Sequence, residues 1–321
     1  MRRNRRAVLW GALALALLCG CGGEQDASQR HSVALVVKST QSEFFRSVFA
    51  GAEAAAAEYN LELSIAGPET EEDYETQNRL IAEAVRAGAE AIVFSAIDQE
   101  ENAAAIDAAA QAGLQIVTID SSVDSDQVST YIGTDNYAAG QMAADAVLDR
   151  VSGPLYVGVV NYDVSTANGQ ERERGASDAF AESGRARVAA SVTTLVEAER
   201  ARADTADLLR NNPEINVVIA FNEPTSVGAA QAVGGLRLAD EVFLVGFDSN
   251  VATIDGLQEG YVDALIVQNP YAMGYLGVES AYRLLSGQGG ALETTVDTST
   301  QIVNRGNLFS LDSQKALFAF E

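Results

Sequence analysis

Short runs of apolar, β-branched residues in this sequence are repeatedly followed by amides, carboxylates and aromatic rings. The segments after these runs are, in chain order, residues 38–45, 95–98, 120–121, 161–163, 221–223, 246–248 and 268–270. Aromatic faces stack on the CH faces of a ring, and planar amide, carboxylate and guanidinium groups hold pairs of hydroxyls. These side-chain types therefore predict a site for a small polyhydroxylated molecule.

An alternation of strands and helices would position these segments. The predicted strands are residues 33–37, 61–66, 91–95, 115–119, 130–133, 155–160, 187–193, 217–221, 243–247, 264–267 and 300–303. The predicted helices lie near residues 43–59, 72–87, 100–112, 137–151, 168–183, 198–211, 224–235, 250–259 and 271–286. Two series of about five βα units indicate an α/β protein with two Rossmann-like lobes, and a TIM barrel is the competing fold. In open α/β sheets ligands bind beyond the carboxyl ends of the strands, where the polar segments lie.

Composition excludes several classes of function. The chain has 45 acidic and 21 basic residues and a formal net charge of −24, which opposes binding to nucleic acid. One His and two Cys leave little material for a metal site or a catalytic triad. The first strand is not followed by a glycine-rich nucleotide-binding turn, and neither a Walker nor a Gly-x-Ser-x-Gly motif is present. We expect a protein that is not an enzyme and needs no cofactor or metal.

The N-terminus has the features of an export signal. Four arginines within the first six residues precede an apolar stretch that is short for a membrane span. Residues 18–21 (LCGC) resemble a bacterial lipobox, which makes Cys21 the predicted lipidation site. Residues 1–20 are then a signal peptide and residues 21–31 a lipidated tether, in the periplasm or on the cell surface. An uncleaved anchor helix is the alternative.

From residue 32 onward the chain resembles the ribose-type (type I) periplasmic binding proteins, the substrate-binding components of sugar ABC transporters. The resemblance rests on six segments in order, which are VALVV with FF at 33–45, VTID at 117–120, GTDN at 133–136, ERERG at 171–175, VGFD at 245–248 and VQNP at 267–270. It implies two lobes joined by a three-stranded hinge, with sugar bound between them. It places the N-terminal lobe at 32–134 plus 269–298 and the C-terminal lobe at 135–268 plus 299–321.

The resemblance also implies site residues. The candidates are Ser42, Phe44, Phe45, Ser95, Asp120, Ser121, Arg172, Arg174, Asn222, Asp248 and Gln268. The two phenylalanines would stack on the sugar, and Asp120 would accept two adjacent hydroxyls. Either Arg172 or Arg174 would face the cleft. For the polar residues at strand ends the alternative is capping of the following helix.

Some positions depart from the ribose-type pattern. Ser42-Glu43 stands where Asn-Pro is usual, Ser121 replaces an arginine, and Val196 replaces an aromatic ring. The resemblance therefore predicts a monosaccharide other than ribose, a polyol or a modified sugar, delivered to an ABC permease. A sensor that presents a sugar or another signal to a chemoreceptor or kinase is the rival. A repressor with the same core would need a helix-turn-helix before the first strand, where the export signal lies.

Overall fold

The structure is a computed structural model that describes residues 30–162 and 165–318. The predicted signal peptide, Cys21 and nearly all of the tether lie outside the described residues. No helix within the described part of the chain is long and apolar enough to cross a membrane.

Strands and helices alternate along the chain. The first series is β1 (Ser32–Val36), α1 (Glu43–Glu58), β2 (Glu62–Ala66), α2 (Tyr74–Ala87), β3 (Ala91–Phe94), α3 (Ala103–Gln111), β4 (Gln115–Ile119) and β5 (Val128–Gly133). The second is α4 (Asn136–Leu148), β6 (Leu155–Asn161), α5 (Ala167–Ser183), β7 (Ala186–Thr193), α6 (Ala198–Asn211), β8 (Val217–Ala220), α7 (Glu223–Leu236), β9 (Phe243–Phe247), α8 (Val251–Glu259) and β10 (Ala264–Val267). The chain continues with α9 (Pro270–Leu285), β11 (Thr295–Asp297), β12 (Gln301–Asn304) and α10 (Leu311–Leu317).

The strands form two open six-stranded sheets of matching topology. Their orders are β11-β5-β4-β3-β1-β2 and β12-β10-β9-β8-β6-β7. All neighbours are parallel except β10 and β12, which pair antiparallel. Two separate open sheets rule out the TIM barrel and confirm the predicted two-lobe α/β fold.

The chain passes between the two sheets three times, after β5, after β10 and after β11. These crossing segments contact one another. The Thr134 hydroxyl donates to Gln268 Oε1 at 2.9 Å, and the Thr298 backbone N–H donates to the Gly133 carbonyl at 2.7 Å. The three crossings therefore form the predicted hinge.

Both faces of each sheet are buried, which explains the nearly continuous apolar strands. In β1, Val33 and Leu35 belong to one hydrophobic cluster, which includes residues of α1 and α9. Ala34 and Val36 belong to another, which includes residues of α2 and α3. The alternating side chains of one strand thus pack in two cores.

Glycines permit the close packing of one helix pair in each half of the fold. A Cβ on Gly274 of α9 would lie 2.0 Å from the Val48 carbonyl of α1. In the other half, a Cβ on Gly140 of α4 would lie 2.1 Å from the Arg172 carbonyl of α5. These contacts involve rigid backbone, so neither helix pair could keep its present spacing with a side chain at these positions.

Candidate functional site

The carboxyl ends of strands from both sheets meet at a small cavity of about 20 Å³. It is lined by all of the predicted binding residues except Ser95, Ser121 and Arg174. A volume of about 20 Å³ is roughly that of one water molecule, so a larger ligand requires the two lobes or their side chains to separate.

A second cavity of about 560 Å³ shares Phe44, Asp248 and Gln268 with the first. Its other lining residues come from the first turns of α1, α8 and α9, from the segment before β12, from β12 itself and from the C-terminal helix α10. We take the smaller cavity as the candidate site because buried charged side chains from the strand ends of both sheets converge there.

Two aspartates occupy equivalent positions in the two sheets. Asp120 follows β4 and Asp248 follows β9, and both backbones are in the left-handed region, with φ of 57° and 63°. Each backbone N–H donates to a carbonyl of the adjacent strand, Ile132 for Asp120 and Ile266 for Asp248. Aspartate adopts this conformation more readily than most residues, and it turns the chain away from the sheet at the strand end.

Asp120 is the centre of a buried polar network. Its carboxylate accepts hydrogen bonds from the Ser95 hydroxyl at 2.8 Å and from Asn168 Nδ2 at 3.2 Å. Lys38 Nζ lies 3.2 Å from the same carboxylate and 3.4 Å from that of Glu71. Ser95 therefore holds Asp120 in place rather than lining the cavity itself.

Lys38 is almost fully buried between two carboxylates and two aromatic rings. Its ammonium lies 6.0 Å from the centre of the Phe45 ring and 5.8 Å from that of Tyr162. Burial alone would lower the pKa of Lys38, but Asp120 and Glu71 raise it above the ordinary lysine value. Lys38 is therefore a fixed cation in the wall of the cavity.

Arg172 joins several elements near the hinge. Its Nε donates to Asn136 Oδ1 at 2.8 Å, Nη1 to the Phe221 carbonyl at 2.7 Å, and Nη2 to Gln268 Oε1 at 2.7 Å. The guanidinium also stacks 4.7 Å from the centre of the Phe247 ring. Every guanidinium nitrogen thus has a neutral acceptor, and the side chain is only 1% exposed.

Gln268 connects this arginine to the second aspartate. Its Nε2 donates to Asp248 Oδ1 at 2.7 Å, while its Oε1 accepts from Arg172 and Thr134. Burial raises the pKa of Asp248 to about 7, although Arg172 and the Gln268 hydrogen bond act in the opposite direction. Asp248 is therefore an incompletely compensated carboxyl group at the cavity.

Glu223, at the start of α7, contacts the opposite lobe. Its Oε2 accepts from the Ser42 hydroxyl at 3.0 Å and from the Phe44 backbone N–H at 3.2 Å, both at the start of α1. Its Oε1 accepts from Asn250 Nδ2 at 3.1 Å. A carboxylate near a helix N-terminus is favourable, so Glu223 bridges the two lobes on the cavity wall.

The side-chain oxygen and nitrogen of Asn222 have different surroundings. Its Oδ1 accepts from the Thr225 N–H and caps α7, as the capping alternative anticipates. Its Nδ2 is buried and has no hydrogen-bond partner among the described residues, and the residue lines the cavity. A buried amide donor without a partner is costly unless something binds it, so this group points to a ligand.

The predicted residues outside the cavity have other surroundings. Arg174 is a surface residue whose side chain is 63% exposed, stacked on Tyr137 and 3.9 Å from Glu171. Of the two candidate arginines, only Arg172 is therefore brought to the cavity. The Ser121 hydroxyl is buried without a partner in the described structure but does not line the cavity.

Sequence reasoning missed six cavity residues, Lys38, Glu71, Tyr162, Asn168, Glu223 and Pro224. Three of them, Lys38, Tyr162 and Glu223, lie in the polar segments that follow strands. Lys38 is one of only two lysines in the chain, and its position directly after a buried strand was a usable signal. Among the described residues, no cluster of His, Cys, Asp or Glu is arranged to hold a metal ion.

Comparison with known proteins identifies the class. Residues 33–289 match the family model described as the periplasmic binding protein domain, and the chain belongs to this family. It is 27% identical over 309 residues to the D-ribose/D-allose-binding protein of Pseudomonas aeruginosa, covering 90% of this chain and 97% of that protein. It is 24% identical to the ribose import binding protein of Bacillus subtilis, covering 90% and 95%.

Solved structures give the same result for the fold. A carbohydrate transporter solute-binding protein from Agrobacterium radiobacter, in complex with D-arabinose, superposes with a TM-score of 0.87 and 27% identity, covering 91% of this chain and 100% of that one. A solute-binding protein from Agrobacterium vitis with bound D-fucose gives 0.86 and 26%, covering 89% and 99%. Both proteins were solved with a monosaccharide.

Proposed function

We propose that this protein captures a small carbohydrate between its two lobes and delivers it to an ABC permease. The observation that carries this proposal is the unpartnered, buried Nδ2 of Asn222 at a cavity lined by strand ends of both sheets. Membership of the family indicates an extracytoplasmic location, and the names of the relatives favour transport over sensing.

Each side-chain type in the cavity has a task in this proposal. Asp120 and Asp248 bind sugar hydroxyls from opposite lobes, and Asn222 Nδ2 donates to a ring or hydroxyl oxygen. Phe44 and Phe45 present aromatic surface to the CH faces of the sugar. Arg172 holds Gln268 and the hinge in position. No group is needed to break a covalent bond, so the protein binds its ligand without converting it.

Ligand capture proceeds by closure of the lobes. A ligand that contacts both lobes binds the closed form more tightly than the open form, and the population shifts by that difference in affinity. The lobes are residues 32–134 with 269–298 and residues 135–268 with 299–321. The hydrogen bonds from Thr134 to Gln268 and from Thr298 to Gly133 join the segments about which the lobes rotate.

The N-terminal segment belongs to the same proposal. Lipidation of Cys21 after removal of residues 1–20 tethers the folded part to a membrane while leaving the cleft in solution. Metabolic labelling with a fatty-acid analogue tests this, since Cys21→Ala should abolish label incorporation and Cys19→Ala should preserve it. Equal labelling of the Cys21 variant would contradict the assignment.

A panel of neutral monosaccharides and polyols in a thermal-shift assay tests the central proposal. A ligand at one hundred times its Kd stabilises the protein by about 2.7 kcal/mol, a readily measured rise in Tm. Asn222→Ser keeps an oxygen for the helix cap but removes the amide donor. This variant should melt near the wild-type temperature without ligand and lose most of the ligand-induced shift. An unchanged shift would exclude Asn222 from the binding site.

A further inference from the structure

The ionisable groups at the cavity are unbalanced. Four carboxyl groups line it, from Glu71, Asp120, Glu223 and Asp248, against two cations, Lys38 and Arg172. Buried charges are costly unless they are paired, so a surplus of carboxyl groups in a closed cleft calls for a counter-charge. Burial, and to a smaller extent the neighbouring carboxylates Asp120 and Glu223, raise the pKa values of Glu71 and Asp248.

The two cations already have partners. The Lys38 ammonium lies within 3.4 Å of both Glu71 and Asp120. Arg172 uses three of its five N–H donors in hydrogen bonds to neutral oxygens, which fix the guanidinium against the hinge. An anionic ligand would add to four carboxyl groups that already outnumber the two cations of the cavity.

Glu223 is the carboxylate best placed to receive a cation. Its three hydrogen-bond donors are the Ser42 hydroxyl, the Phe44 backbone N–H and Asn250 Nδ2, and all of them are neutral. No salt bridge to Glu223 occurs among the described residues, and its side chain lines the cavity. Oε1 accepts only one of these bonds and retains capacity for another donor.

A second observation at the same cavity points independently to a ligand. Asn222, adjacent to Glu223, is 7% exposed, and its Nδ2 lacks a hydrogen-bond partner in the described structure. This amide donor would bind an oxygen acceptor, whereas Glu223 would bind a donor. A ligand that satisfies both carries hydroxyl or ring oxygens together with a positively charged donor.

We propose that the ligand is an amino sugar or an aminopolyol whose ammonium group pairs with Glu223. This inference rests on the proposed function and narrows its substrate class. The ammonium offsets part of the negative charge that closure would otherwise bury, while hydroxyl and ring oxygens contact Asn222 and the remaining polar side chains.

Isothermal titration calorimetry on the purified wild-type protein tests the inference. The probes are glucosamine, galactosamine, mannosamine and 1-amino-1-deoxysorbitol, each beside its neutral parent, with N-acetylglucosamine and glucuronate as neutral and anionic controls. We expect at least one amine to bind at least about 10-fold more tightly than its parent, equivalent to about 1.4 kcal/mol, and glucuronate to bind more weakly than glucose.

The outcomes separate the two proposals. If neutral sugars bind and no amine binds more tightly than its parent, the amino-sugar inference fails and carbohydrate capture stands. If no carbohydrate of any charge binds, both fail. These comparisons need only the wild-type chain, so they do not depend on whether a variant folds.

Two variants test whether the ammonium group of the ligand lies beside Glu223. Glu223→Gln retains carbonyl acceptor capacity but loses the charge, so the ratio of the parent's Kd to the amine's Kd should fall by about 10-fold or more, whatever the change in the parent's own affinity. Glu171→Gln, a half-exposed carboxylate on α5 that does not line the cavity, should leave the preference unchanged. A preference that survives in Glu223→Gln would overturn the pairing with Glu223.

Discussion

Two arginines separated by one residue on α5 should have very different effects when replaced by methionine. Arg172 is buried and donates three hydrogen bonds of 2.7–2.8 Å, to Asn136, Phe221 and Gln268. Arg174 is a surface residue that stacks on the ring of Tyr137 and lies 3.9 Å from Glu171. Methionine preserves much of the apolar stem in both variants, so the comparison isolates the guanidinium group.

The structure sets the size of the difference. A net hydrogen bond to a charged group contributes about 1.5–3 kcal/mol, but three bonds from one side chain are not additive. Removing the guanidinium takes a donor from three buried carbonyl oxygens at about 1–3 kcal/mol each, and because these losses are not additive we estimate about 3–5 kcal/mol in total. We expect this loss for Arg172→Met, and less than about 1 kcal/mol for Arg174→Met because exposed ion pairs contribute little.

Urea unfolding followed by circular dichroism measures both variants under identical conditions. With a slope of about 3 kcal/mol/M, a loss of about 3–5 kcal/mol moves the midpoint by roughly 1–1.7 M. Arg174→Met should unfold close to the wild-type midpoint. Equal midpoints for the two variants would refute the reasoning, since they would mean that the buried network around Arg172 contributes no more than a surface contact.

Two further predictions concern packing and pH. Gly274→Ala should destabilise the fold by about 1–3 kcal/mol, because the added Cβ would lie 2.0 Å from the Val48 carbonyl. Gly235→Ala is the control, since no atom lies within 4 Å of the added Cβ, and it should be neutral or stabilising in the same urea assay. Burial raises the pKa of Asp248 to about 7, so the ionised carboxylate is less favourable in the folded protein than in the unfolded chain. The free energy of unfolding therefore falls as the pH rises from about 4 to about 7. Asp248→Asn should therefore gain stability relative to wild type between pH 5 and 8, and a constant difference would contradict this.

The fold was predictable from the sequence because parallel strands buried on both faces read as continuous apolar runs. The runs at β1, β4 and β9 are of this kind. Each predicted strand begins and ends within two residues of an observed strand. One strand and one α-helix of the described residues were missed. The strand β11 has only three residues and no apolar run, and the short helix α10 follows a loop near the C-terminus, so periodicity gives little signal for either.

The candidate site was harder to predict than the fold. Asp120, Asp248 and Gln268 end strands, so topology alone brings them to the sheet edges that face each other. Which of Arg172 and Arg174 turns inward depends on the rotation of α5, and the sequence pattern left both open. Glu71 lies in the loop before α2, so its approach to Lys38 depends on tertiary packing that spacing does not encode.

Asp120 and Asp248 occupy equivalent positions in the two sheets, but different side chains surround their carboxyl groups. Asp120 and Asp248 share a backbone conformation, a strand-end location and a hydrogen bond to the next strand. Asp120 forms an ion pair with Lys38, so in the proposed function its carboxylate oxygens would act as acceptors for ligand hydroxyls. Among the described residues, Gln268 is the one side chain that donates to the Asp248 carboxyl group, and burial raises the pKa of Asp248 to about 7. Near neutral pH Asp248 would therefore also be able to donate a proton to an oxygen of the proposed ligand. The two lobes therefore present different hydrogen-bonding groups to the ligand from matching places in the fold, and a bound sugar would be held in one orientation between them.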